Sequence, residues 1–112
     1  MSCVGAHETF RVDFTPTDRL EVAFIKERGK VTGFSIQHQA FIRGEWVSVV
    51  RYDTHHGYLH RHRFWLDEHD QIDEREPRGM PAADYTIPFK TAYDELCAKW
   101  RTFRANMLRK RP

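Results

Sequence analysis

Apolar and polar residues alternate through most of the first 66 positions, and then the period changes. "FRVDF" (10–14) and "LEVAFIKE" (20–27) read as strands, separated by "TPTD", in which Pro16 and Asp18 favour a turn. "VTGFSIQHQAFI" (31–42) follows "RGK", where Gly29 is free to take positive φ, so these two segments predict a hairpin; a phase slip near Gly33 or Ala40 predicts a bulge. "RGE" offers a second tight connection into "WVSVVRY" (46–52), and "DTHHG" leads into "YLHRHRFWL" (58–66). The expectation is an antiparallel meander of about four strands over 19–66, with the short "FRVDF" stretch before it.

Residues 67–86 carry charge, Gly and Pro without a periodic apolar pattern, which predicts a long mobile connection with no core residues. From 86 onward Phe89, Tyr93, Leu96, Trp100, Phe103 and Met107 recur at three- and four-residue steps, one apolar stripe on a helix over 87–109. Thr86 is the expected cap, Pro88 is tolerated in the first turn, and the cations gather at the C-terminal end, as the helix dipole prefers. A sheet with one apolar face needs a cover, and this helix supplies it. The predicted class is α+β, with strands first and helix last, in one domain spanning 1–112.

Composition changes little in that picture. With 112 residues, 40% hydrophobic and 30% charged, the chain is long enough to bury a core without disulfides or a structural metal. Cys3 and Cys97 lack CxxC spacing, and no apolar run approaches bilayer length, so the expectation is a cytoplasmic protein with reduced thiols and no membrane partner. The net charge of +2 hides an uneven distribution. Residues 67–76 hold six acids against one arginine, whereas residues 99–112 hold six basic residues and no acid. A basic helix end suggests a phosphate-bearing partner such as RNA, with Arg101, Arg104 and Lys110 off the apolar stripe and free to reach it.

Candidate chemistry concentrates in "VVRYDTHHGYLHRHRFW" (49–65), which holds four of the seven histidines. Strand alternation puts His60 and His62 on one side with Tyr58 and Phe64, and Arg61, Arg63 and Trp65 on the other. If the loop has an even number of residues, for instance two around His55 and His56, then Arg51 opposes His60 and Asp53 opposes Tyr58. Arg51, Asp53, His60 and His62 then share a face. Two imidazoles that titrate near neutrality divide the roles of base and acid, a guanidinium stabilises charge on a phosphate, and a carboxylate fixes a histidine tautomer. That is the equipment of a metal-independent ribonuclease, with Tyr58 available to stack on a base. The same His60 and His62 spacing also suits a divalent metal, with Asp53, His55 or His56 as third ligand, in which case the domain is a metal-binding or plain interaction module.

The strings "GKVTGFSIQHQAFIRGEW", "VVRYDTHHGYLHRHRFW" and "AYDELCAKWRTFR" together resemble a family of small uncharacterised prokaryotic domains built around an RYDxxHGxxHR core, over roughly residues 20–105. This resemblance implies a shared sheet-plus-helix fold and no particular activity. More distantly, Arg51-Tyr52-Asp53 followed by histidines is similar to TumE-like toxins of toxin–antitoxin pairs, which implies an RNA-acting toxin with a cognate antitoxin as partner. A homodimer is a further expectation.

Overall fold

The structure, a computed structural model, describes residues 6–55, 58–74 and 84–110. Six strands follow one another in sequence and in space: β1 (Ala6–Thr15), β2 (Asp18–Glu27), β3 (Lys30–Ile42), β4 (Glu45–Asp53), β5 (His60–Arg63) and β6 (Ile72–Glu74), each antiparallel to the next. One helix, α1 (Thr86–Arg109), closes the chain. The α+β class is as the sequence predicts, but the meander has six strands rather than four. "FRVDF" is the centre of a ten-residue strand, and the connection expected to be without structure holds a short 3-10 turn at Glu68–Asp70 followed by β6.

Two-residue loops join β2 to β3 and β3 to β4. Arg28 and Gly29 (φ 50° and 78°), and Arg43 and Gly44 (φ 54° and 84°), both occupy the left-handed region, so the local twist matches that of the flanking strands. The expected phase slips are real. Thr32 is an extra residue of β3 where the register with β2 shifts, next to Gly33, and Val49 is an extra residue of β4 where its register with β3 shifts at His38 and Gln39. The second insertion lies on the partner strand rather than at Ala40.

Because strand side chains alternate, one face of the sheet carries Leu20, Val22, Phe34, Ile36, Val50 and Tyr52, all buried under α1. The helix contributes Ala92, Leu96, Trp100 and Phe103, with Phe89, Tyr93 and Met107 packed at the margins; only Ala92 is additional to the predicted stripe. Rings lock the two layers together. Phe14 stacks on Trp100 (centroids 5.2 Å, 4°), Trp65 on Phe103 (5.4 Å, 21°), and Phe34 meets Phe89 edge-on at 5.3 Å. The helix start departs from expectation. Thr86 is its first residue rather than its cap: the Asp84 carboxylate accepts from the Thr86 amide (2.9 Å) and hydroxyl (2.6 Å), while Thr86 Oγ1 accepts from the Val31 amide at 3.1 Å. Tyr85, inside the stretch expected to hold no core, is 3% exposed and donates its amide to Val31 O at 2.7 Å.

A polar cluster lies within this apolar layer. His38 is fully buried and Asp18 nearly so; His38 Nε2–H donates to Asp18 Oδ1 at 3.1 Å, and Arg104 Nη1 donates to Asp18 Oδ2 at 2.8 Å. The Thr15 and Thr17 hydroxyls complete the acceptor shell of that carboxylate, and the edge of Trp100 closes on the imidazole. A buried carboxylate is tolerated only with such partners. The cluster ties the β1–β2 turn, β3 and the last third of α1 into one unit. Arg104→Ala leaves Asp18 without its cation, and we expect it to lower unfolding stability by about 2–3 kcal/mol in urea denaturation.

Burial is the largest influence on His38 and pulls its pKa below the ordinary 6.5; the hydrogen bond and charge of Asp18 oppose this, and Arg104 adds to the lowering. In the unfolded chain the imidazole titrates near the ordinary value, so below it the unfolded state binds a proton that the folded state refuses. The stabilisation is complete above pH 6.5 and is lost as the pH falls through the lower folded-state value. Urea midpoints measured from pH 8 to pH 5 should therefore fall more steeply for the wild type than for His38→Gln; parallel curves would remove His38 as the source.

Candidate functional site

The RYD segment ends β4 and the HRH segment forms β5, with six residues, 54–59, between the two strands. Asp53 pairs with His60 and Arg51 with His62, while Tyr52 pairs with Arg61. The loop is even, as a shared face requires, but four residues longer than the two-residue example, so each partnership is displaced by two positions from the one the sequence suggests. Thr54 anchors the start of the loop: its amide donates to Phe34 O (3.1 Å), and its hydroxyl accepts from the Phe34 amide at 2.9 Å. β5 is only four residues long, so Phe64, Trp65 and Leu66 lie beyond it rather than continuing the strand.

Arg51, Asp53, His60 and His62 thus lie on the face opposite α1, where Arg51 is partly exposed and His60 is buried. Asp53 Oδ1 accepts from the His55 amide at 2.6 Å, which shapes the loop, and its other oxygen lies 3.7 Å from Arg51 Nε. That spacing is an ion pair but not a hydrogen bond, and Arg51 Nε is a buried donor with no hydrogen-bond partner among the described residues. His60, 6% exposed, donates Nδ1–H to Tyr58 O at 3.3 Å and lies against the Tyr58 ring at 5.1 Å. His62 donates Nε2–H to Gln71 Oε1 at 2.6 Å; the Gln71 amide is oriented by its own donation to Leu66 O at 2.9 Å. Each imidazole is thus anchored through one ring nitrogen, Nδ1 of His60 and Nε2 of His62. Phe64 stacks on His62 (4.0 Å, 11°), and Arg51 lies over the same ring at 5.7 Å.

Along β2 to β4 the open face continues with Arg19, which donates to Gln39 Oε1 at 2.8 Å and lies 3.8 Å over the ring of Trp46, itself 37% exposed. At the other end, beside Asp53, the side chains shrink to Ala23, Gly33 and Ser35, and the face sinks into a recess of about 480 Å³. His7 and Thr9 of β1 wall one side, and Asp53, Thr54 and His55 the other. Gly33 lies at its floor, where a β-carbon would come into ordinary contact with Thr54 Oγ1 at 3.4 Å. His7 and this recess are absent from the sequence reading; the run of small residues on alternate positions of adjacent strands was its only trace.

The helix-facing half of the same motif does structural work. Tyr52 donates its hydroxyl to Glu95, Arg61 bridges Glu95 (3.1 Å) and Asp73 (2.8 Å), and the three ties fasten the hairpin and β6 to α1. His38 and Asp18, likewise unassigned from sequence, share the parity of Ile36 and Leu20, and that period-two match was the available signal. The residues expected to be free for phosphate divide differently. Arg104 is committed to Asp18, so it is not available as the sequence reading supposes. Arg101 is exposed and rests on Trp100 at 4.5 Å, and Lys110 donates to Phe64 O at 2.6 Å. Helix and histidines occupy opposite faces, so one short RNA strand reaches both only by wrapping the sheet edge. Cys97 is a free thiol whose pKa burial pushes up, which suits a packing role; Cys3 lies outside the described residues.

Among the described residues no three His, Cys, Asp or Glu side chains group closely enough to hold a metal ion, so the metal arrangement expected from His60, His62 and Asp53 does not form there; His56 lies outside those residues. Among the same residues no helix is long and apolar enough to cross a membrane. Neither the curated proteins nor the solved structures give a match to this chain. A family model described as a domain of unknown function, DUF7718, matches residues 5–111. Since that match takes in both halves of the split RYD-to-HRH motif and the closing helix, the chain belongs to the DUF7718 family.

Proposed function

We propose that this domain binds single-stranded RNA on the uncovered face of its sheet, with the Arg51, Asp53, His60 and His62 patch as the contact point for a phosphate. The observation that carries this reading is the Arg51 Nε. Among the described residues it is buried without a hydrogen bond, the Asp53 carboxylate lies 3.7 Å away, and Arg51 sits beside two imidazoles on the face opposite the helix. A phosphate oxygen supplies the acceptor that Asp53 does not, and a charge-assisted bond of this kind is stronger than the loose pair it replaces.

The surroundings favour a nucleotide over a bare anion. Trp46 and Phe64 present flat rings with a guanidinium over each, and His62 stacks on Phe64, the combination that open sheets use to hold unstacked bases. The recess begins at Asp53, two residues along β4 from Arg51, or about 7 Å at the rise of a strand. A base seated between His7 and His55 would leave its phosphate near Arg51. The other open-face arginines pair along their own strands, Arg11 with Asp13 and Arg19 with Glu21.

A second reading is that bound RNA is also cut. It is favoured by the anchored rings: each imidazole is held through one nitrogen, which orients the other, and Arg51 lies opposite one of them. The toxin-like setting is not included, because the family match adds nothing to it.

Fluorescence anisotropy with labelled single-stranded RNA, at two salt concentrations, tests the first reading. Arg51→Ala should weaken binding about 10- to 100-fold and reduce the salt slope by about one, while Arg109→Ala, at the far end of the helix, should leave it within about twofold. Equal binding by Arg51→Ala and wild type would overturn the proposal. Incubating the same RNA with wild type and with a His60→Ala, His62→Ala double variant, with and without chelator, separates cutting from binding: loss of cleavage in the variant supports catalysis, and intact RNA in every lane leaves a binding module.

A further inference from the structure

The first strand of the sheet has an unused edge. β1 pairs with β2 on one side only, and among the described residues nothing pairs with or covers its other side. Exposed edges in natural sheets are usually blunted by lysine, proline, short length or early bulges. This one is ten residues long, has no lysine or proline, and runs regularly from Ala6 to Asp13 before a bulge at Phe14. It also displays an apolar ring at its rim, Phe10, which is 42% exposed.

From these features we infer that β1 is a homodimer interface, in which two copies of the chain join their β1 strands antiparallel about a two-fold axis at Val12. The occupant follows from charge. In an antiparallel pair about a two-fold axis, residues i and j face one another when their numbers add to a constant, and the constant must be even if apolar residues are to stay on the helix side. A sum of 22 sets Arg11 against its own copy, which repulsion forbids. A sum of 24 sets Arg11 against the partner's Asp13 twice over on the open face, and Phe10 against the partner's Phe14 twice over on the helix face. Each chain already holds Arg11 and Asp13 together, Nε to Oδ1 at 3.1 Å, with both side chains more than half exposed. Docking turns two separate pairs into a ring of four alternating charges. Opposite charges across a strand pair and facing aromatic rings are each favourable, and like charges directly opposite are not.

The helix side supports the same register. Phe10 leans on Phe24 (6.4 Å) and Tyr93 (6.3 Å), and Phe14 stacks on Trp100, so the rings that would meet across the axis are already held in place by each protomer's own core. The regular pairing runs from Arg11 to Asp13, with Phe10 facing the bulged Phe14 at either end, and stops there because the strand bends away. Because the contact is isologous, it closes after two copies: the result is a twelve-stranded sheet with both helices on one side and both open faces on the other, and no filament. The inference is independent of what the open face binds.

Sedimentation equilibrium of the full chain from 1 to 200 µM tests it with three variants, Arg11→Asp, Asp13→Arg, and the two combined. Both side chains are exposed, so the variants should keep the wild-type melting temperature within a few degrees. Wild type should be a concentration-dependent dimer. Each single variant, which places like charges opposite one another, should weaken association at least tenfold, and the combined swap should restore it. A wild type that stays monomeric at 200 µM, single variants that dimerise as well as wild type, or a swap that fails to rescue would each overturn the inference.

Discussion

A six-stranded sheet has two faces, and one helix can bury only one of them. That constraint organises the molecule. Strand alternation then decides, residue by residue, which half of each motif goes inside. In the RYD segment Tyr52 goes in, to Glu95, while Arg51 and Asp53 stay out; in the HRH segment Arg61 goes in, to Glu95 and Asp73, while His60 and His62 stay out. The hairpin is therefore one strand pair with two duties. Its inner side clamps the helix and its outer side is left with polar groups that the protein's own core does not satisfy. A slip of one residue in β4 or β5 would exchange the duties, burying a guanidinium and two imidazoles against Leu96 and exposing the clamp. The long even loop at 54–59, pinned by Thr54 to Phe34 and by Asp53 to His55, sets that register.

The clamp at Glu95 has a counterpart nearer the other end of α1, where Arg104 reaches Asp18 and His38. Between them Leu96 and Trp100 supply apolar contact, so the helix is held by polar ties at two places about two and a half turns apart, with burial between. Apolar packing alone permits a helix to slide along or roll on a sheet at little cost. A carboxylate that must meet a particular guanidinium does not. The polar ties thus serve the alignment of the two layers more than the total stability, and they leave the outer face with a fixed shape for whatever docks there.

How much of this was legible in the sequence follows from the range of each interaction. Period-two and period-3.6 patterns are local, so β2 to β4, the helix and its buried stripe could be read directly, along with positive φ at Gly29 and the bulge at Gly33. The common face of Arg51, Asp53, His60 and His62 followed from parity, which needs only an even loop. The pairing itself depended on the length of that loop, a quantity that "DTHHGYL" does not encode, and it came out two residues displaced. Contacts across more than eighty residues were out of reach. Nothing local distinguishes Arg104, which is half-buried against Asp18, from Arg101, which is exposed on the same helix. β6 was hidden by its acidic composition: "IDE" becomes a strand because β5 offers an edge and Arg61 offers Asp73 a partner, both tertiary facts.

The two ends of the sheet handle their edges differently, and the contrast bears on the working face. β6, on the motif side, is three residues long and carries Asp73 and Glu74, an edge too short and too charged to recruit another strand. β1, on the far side, is long and regular and carries Phe10 at its rim. A partner strand is thereby directed to the edge remote from Arg51 and His62, where it extends the open face without blocking it. The recess lies between these two regimes, walled by His7 of β1 and Asp53 of β4. Any change that shifts β1 along β2 moves one wall against the other. The register of the outermost strand, set through Val12 against Leu20 and Phe10 against Val22, therefore controls the dimensions of the recess with three strands between it and His60 and His62.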